Sequence, residues 1–138
     1  MNIQLKRQND AVHLVATNEQ GQEVHIDGAP KIGGEDKGVR PMELLIMGLG
    51  GCSSMDVLSI LKKQKQQIDD YEVNIKADRD TNSVPSLFTD IHVEFVLKGN
   101  VDRTKAERAV QLSMEKYCSV TKIMEETANI THSVKIVN

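Results

Sequence analysis

Two residues in this 138-residue chain have side chains able to do covalent redox chemistry, Cys52 and Cys118. A thiol attacks only as its thiolate, and a redox couple needs a second sulfur that can close and reopen a disulfide. Cys52 lies in GGEDKGVRPMELLIMGLGGCSSMDVLSIL, from Gly33 to Leu61, an apolar setting that raises a thiol pKa. Asp56, one helical turn later, also opposes a thiolate there. Cys118 falls at the junction of two expected helices, where the start of the second favours negative charge. Which cysteine attacks, and whether the two meet, is open at this level. Two unrelated buried thiols are the plain alternative.

Other chemistries find less support. The four histidines, His13, His25, His92 and His132, form no compact Cys/His spacing, so no metal site is expected. Gly28, Gly33, Gly34 and Gly38 match neither a phosphate-binding loop nor a dinucleotide fingerprint, and no nucleotide, flavin or other cofactor is expected. Arg40 is a candidate for facing an anion, with a solvated surface arginine the plainer reading.

These residues must be positioned by strands and helices whose periodicity is readable. Val12, Leu14 and Ala16 alternate with His13 and Val15, Val24 and Ile26 supply a second strand, and Thr17–Gly21 joins them as a hairpin, with Gln4–Arg7 as a poorer third strand. Pro41 is suited to a first helical turn, and the helix it opens places Leu45, Leu49, Cys52 and Met55 along one side. Its apolar residues cover more than one face, which predicts a central buried helix. Gly48, Gly50 and Gly51 each cost about 0.5–1 kcal/mol against alanine in a helix, so a close neighbour is expected.

Tyr71, Val73, Ile75 and Ala77 alternate along a half-buried strand, and Ile91, Val93, Phe95 and Leu97 along its hairpin partner. A helix begins around Asp102–Thr104, with Thr104 and Glu107 in capping-box form and Asp102 as the other cap. A short helix after Cys118 and a final strand through Ile130, His132, Val134 and Ile136 complete the chain. No βαβ repeat is evident.

The composition fits one domain. A formal charge of −3 gives no basic field for nucleic acid. No secretory leader is recognisable, and the uncharged run Leu44–Cys52 is too short to cross a bilayer. A soluble cytoplasmic protein without membrane or nucleic-acid partners is the expectation.

The run RPMELLIMGLGGCSSMDVLSILKK, with EKYCSVTKIMEE and the closing NITHSVKI, resembles the OsmC/Ohr family of osmotically inducible and organic-hydroperoxide-resistance proteins. It is most similar to a less characterised OsmC-like branch in which Pro-Met-Glu-Leu precedes Gly-Gly-Cys. The resemblance implies an α+β fold, one OsmC-like domain over 1–138, with curved antiparallel sheets wrapped around central helices in an intertwined homodimer. Within it, 1–40 would form the amino-terminal strand and loop region, 41–67 the central helix, and 70–138 a strand-helix-helix-strand region.

The resemblance further implies a thiol-dependent peroxidase. Cys52 would attack an organic hydroperoxide, Cys118 would resolve the sulfenic acid, and a dithiol reductant would reopen the disulfide. In that pattern a glutamate directly after the proline interacts with an arginine from the amino-terminal region. Here Met42 follows Pro41, and Glu43 is displaced by about 100° around the helix. Glu43 and Arg40 are therefore the acid-base and thiolate-stabilising candidates, Arg7 being an early alternative. A binding or redox-sensing protein for an apolar small molecule, and a structural dimer with inert thiols, are the alternatives to the enzyme.

Overall fold

The computed structural model describes residues 1–138 as two compact units, Met1–Leu45 and Ile46–Asn138. The amino-terminal unit is built on a three-stranded antiparallel sheet, β1 (Gln4–Arg7), β2 (Leu14–Thr17) and β3 (Glu23–Ile26), in that order. Strands β2 and β3 fall within the alternating stretches and β1 in the poorer one, but the residue buried on β2 is Val15 rather than Leu14 or Ala16. Val15 and Ile26 are the buried apolar residues of the sheet. The Asn18 side chain closes the β2–β3 turn by accepting from the Gln20 and Gln22 amides.

After β3 the chain makes a pinned loop. Val39 returns beside β3 as a parallel bridge to Ile26, exchanging hydrogen bonds with Asp27 and His25 at 2.9 and 3.0 Å. Inside that loop the buried Asp27 carboxylate accepts from the amides of Gly28, Glu35 and Lys37 at 2.8, 3.0 and 3.1 Å. Gly34 is needed here because a Cβ would lie 1.7 Å from the Gly28 carbonyl oxygen. The loop delivers Arg40 and Pro41 to helix α1 (Pro41–Lys63).

The carboxyl-terminal unit holds the rest of α1, then β4 (Asp70–Arg79), β5 (Phe88–Lys98), α2 (Arg103–Leu112), a π-helical turn (Ser113–Tyr117), α3 (Ser119–Met124) and β6 (Asn129–Val137). The β4–β5 hairpin forms as expected, and Ile91, Val93, Phe95 and Leu97 are fully buried on one face of β5. Antiparallel pairing holds for β1–β2–β3 and for β4–β5, but β6 runs parallel to β5. Helices α2 and α3 form the crossover that a parallel neighbour requires, so the chain contains one βαβ unit where none was expected.

Three local expectations need correction. The cap of α2 is Asp102, whose carboxylate accepts from the Lys105 amide at 2.9 Å, rather than the Thr104–Glu107 box. The buried stripe of α1 is Leu49, Ser53, Val57 and Leu61 at four-residue spacing, while Leu45 and Met55 face outward at 48% and 69% exposure. Near-uniform apolarity had left the phase of that helix undetermined. Finally, all of α1, at 23 residues, is long and apolar enough to cross a membrane by length and composition, because its serines and glycines interrupt it without charging it.

Hydrogen bonding to the Glu35 and Lys37 amides, and then to Gly28, holds the Asp27 carboxyl below its ordinary pKa of 3.8, against the opposing effect of burial. A depressed carboxylate stabilises the fold above its ordinary pKa and loses that contribution as pH falls through the lower folded value. The Glu35 and Lys37 amide proton resonances are therefore expected to titrate together with a midpoint below 3.8. Asp27→Ala should lower the melting temperature and abolish that shared titration, as NMR and thermal unfolding would read.

Candidate functional site

The site grows from the buried stripe of α1. Ser53 is fully buried and turns its hydroxyl back to the Leu49 carbonyl at 2.8 Å, while its own carbonyl, with two lone pairs, can accept from a neighbour beside the helix. That neighbour is Ser113, the first residue of the π-helical turn, whose buried hydroxyl lies 3.1 Å from the Ser53 oxygen and 3.1 Å from Asp56 Oδ2. One hydroxyl proton is thus shared between two acceptors on α1. The π turn ends when the Cys118 amide donates to the Ser113 carbonyl at 2.8 Å. Single π turns recur where a helix must re-aim a functional side chain.

Cys118 comes out of this turn fully buried, as the amino-terminal cap of α3. Its sulfur accepts from the Thr121 amide at 3.4 Å. Cys52, half-buried on α1, stands beside it, and both cysteines are free thiols. Burial pushes the Cys118 pKa above its ordinary value. Hydrogen bonding from the Thr121 hydroxyl and amide opposes that rise, and the neighbouring Cys52 sulfur adds to it. Cys118 is therefore the sulfur that keeps its proton, and Cys52 is the one open to solvent.

The fold thus brings together the two cysteines that the sequence left separate. Arg40 and Glu43 belong to the amino-terminal unit and are engaged there. Arg40 pairs with Asp36 at 3.0 Å, and its amide donates to Glu43 Oε1 at 2.8 Å. Because Arg40 directly precedes the Pro41 that opens α1, this is the reach-back half of a capping box. Ser53, Ser113 and Thr121 escaped sequence reading. The Cys-Ser-Val-Thr spacing was a usable signal, since a cap side chain meets the amide three residues on.

A separate cleft of about 450 Å³ opens between α1 and β4, lined by Ile46, Met47, Gly50, Ser54, Tyr71 and Ile75, among others. Gly50 sits under β4, where an added Cβ would lie 3.0 Å from Ile75 Cδ1, whereas Gly48 and Gly51 face open space. Its polar end is the Tyr71 hydroxyl donating to Ser54 at 2.9 Å, and Ser54 in turn to the Gly50 carbonyl at 2.6 Å. Burial raises the Tyr71 pKa, partly offset by Ser54. Elsewhere His92 is tied to Thr131 and Ser133 on β6 at 2.7 and 2.9 Å, and His13 lies 2.9 Å from His25.

Residues 34–133, which include both cysteines, match the OsmC family, described as OsmC-like protein. The chain belongs to the OsmC-like family. It is 38% identical over 129 residues to protein YhfA of Escherichia coli strain K12, covering 93% of this chain and 92% of that one, which puts it near a less characterised branch. A hypothetical protein from Aquifex aeolicus VF5 has the same fold at a TM-score of 0.85 and 32% identity, over 98% of this chain and 94% of the other. An organic hydroperoxide resistance protein OsmC from Legionella pneumophila superposes with a TM-score of 0.72 over 98% and 97% of the two chains. At 14% identity that last likeness concerns the fold alone. The α+β OsmC-like fold expected from the sequence is the fold found.

Differential burial sets an expected order of thiol reactivity. In the reduced native protein at neutral pH, iodoacetamide should alkylate Cys52 at least about tenfold faster than Cys118, and denaturant should abolish the difference. A thiol whose folded pKa is raised destabilises the fold once the unfolded thiol ionises. Stability should therefore fall as pH rises from the ordinary value of 9.0 toward the higher folded one, and Cys118→Ala should remove that part of the alkaline loss. Peptide mapping and alkaline denaturation curves would check both.

Proposed function

We propose that this protein is a thiol-dependent organic hydroperoxide reductase, and the observation that carries the reading is the half-buried Cys52 standing beside the fully buried Cys118. The Cys52 thiolate attacks the terminal peroxide oxygen and the O–O bond breaks. The alkoxide leaves with a proton as the alcohol, and Cys52 becomes a sulfenic acid. The Cys118 sulfur then displaces that hydroxyl, which leaves as water, and a Cys52–Cys118 disulfide forms. A dithiol reductant supplies two electrons and two protons to reopen it. Cys118 suits the second role because it is shielded from peroxide and retains its proton until the partner sulfur has been oxidised. Membership of the OsmC-like family is consistent with this chemistry.

The α1–β4 cleft favours a second reading, in which an apolar small molecule binds and the thiols sense oxidation without rapid turnover. The commitment of Glu43 to the helix start also favours it. Stopped-flow oxidation of the fully reduced protein by cumene hydroperoxide separates the two. The peroxidase consumes about one peroxide and two thiols per chain rapidly. Cys52→Ser should abolish consumption, while Cys118→Ser should allow one oxidation event and no disulfide. Consumption undiminished in Cys52→Ser would overturn the proposal, and saturable ligand binding without turnover would establish the second reading.

We infer also that the outward face of α1 is covered by a second copy of the chain in a homodimer. Met47 and Met55 are 52% and 69% exposed, Leu58 lies beside them, and Gly48 and Gly51 leave the intervening helix backbone open to close approach. Light scattering should give the mass of two chains, and Met55→Lys should shift it toward one. A monomeric wild type, or its recovery with the membrane fraction, would overturn this assignment.

A further inference from the structure

We propose that Ser113 is the positioning residue of the thiol pair, setting how fast Cys118 closes onto an oxidised Cys52. This rests on reading the two cysteines as a working couple. Ser113 is the one residue bonded to the immediate surroundings of both. Its hydroxyl holds α1 at the Ser53 carbonyl, directly next to Cys52, and at Asp56, one turn beyond it. Its own carbonyl receives the Cys118 amide. Its amide is bonded back into α2, to the Ala109 and Val110 carbonyls, so the residue is fixed on three sides. Ser113 is also fully buried, which leaves no water to replace its hydroxyl and makes the loss of that group felt at the segments it joins.

Disulfide closure is sensitive to such a tether because the bond tolerates a narrow range of Cα separation and a dihedral near 90°. A segment that wanders loses the geometry far more readily than it loses its fold. The first oxidation is different. Peroxide reaches Cys52 on α1, and nothing in that step needs Cys118. Ser113 thus acts on the second step and leaves the first nearly unchanged, with no role as an acid or base.

The variants are Ser113→Ala and the matched pair Ser113→Thr and Ser113→Val, which share shape and differ in the hydroxyl. Two oxidants are used on the full chain. With cumene hydroperoxide, Ser113→Ala and Ser113→Val should form the Cys52 sulfenic acid, trapped by dimedone, within about twofold of the wild-type rate. Both should then close the disulfide about tenfold more slowly, the scale set by losing one buried hydrogen bond. Ser113→Thr should close within about threefold of wild type, since it keeps the hydroxyl. Diamide closes dithiols without peroxide and should give the same order of variants.

Equal closure rates in wild type and Ser113→Ala, or in Ser113→Thr and Ser113→Val, would overturn the role of Ser113. A wild type that closes with diamide and consumes no peroxide would defeat the peroxidase reading alone, with Ser113 still judged by the diamide series. Failure of the wild type to close Cys52–Cys118 with either oxidant would overturn both. Should Ser113→Ala not fold, the Thr/Val comparison carries the decision.

Discussion

The contact on which the thiol pair depends is between a helix backbone and one buried hydroxyl. Helix α1 packs through Leu49, Ser53, Val57 and Leu61, and Ser53 is the polar member of an otherwise apolar stripe. A buried serine must spend its own donor, and Ser53 does so within its helix, on Leu49. The second lone pair of the Ser53 carbonyl meets the crossover segment, where the Ser113 hydroxyl donates to it. The rotation of α1 and the entry of the π turn are fixed together. Cys52, next to Ser53, and Cys118, whose amide donates to the Ser113 carbonyl, flank that contact.

Electrostatics then divides the labour between two chemically identical groups. Burial holds the proton on Cys118, and the adjacent Cys52 sulfur reinforces it, while the Thr121 hydroxyl and amide resist. Cys52 keeps partial contact with solvent. The same physics, applied in opposite directions to an acid in the amino-terminal unit, keeps Asp27 ionised, because three backbone amides converge on it. Converging backbone donors hold Asp27 ionised, whereas burial holds the proton on Cys118 against the one backbone donor it receives.

Much of the fold was legible because it rests on local periodicity. Strands β4 and β5 alternate cleanly, since one face of that hairpin is buried. Pro41 at the first helical position and the lysines Lys62 and Lys63 in the last turn bracket α1. What escaped is non-local or degenerate. The parallel direction of β6 is decided by a crossover of two helices, which no strand pattern encodes. The phase of α1 was hidden by apolar residues on every side. Both cysteines were legible as chemistry, yet their juxtaposition is a tertiary event, and the Ser53–Ser113 contact beside them involves two serines with no local mark of distinction.

Cys118 does two jobs with one atom. Its sulfur starts the six-residue helix α3 by accepting the Thr121 amide, and it is also the atom that faces Cys52. The proposed disulfide would be made by the same sulfur that caps α3. Any displacement of that sulfur on oxidation would be felt first at the Ser119–Met124 helix it starts.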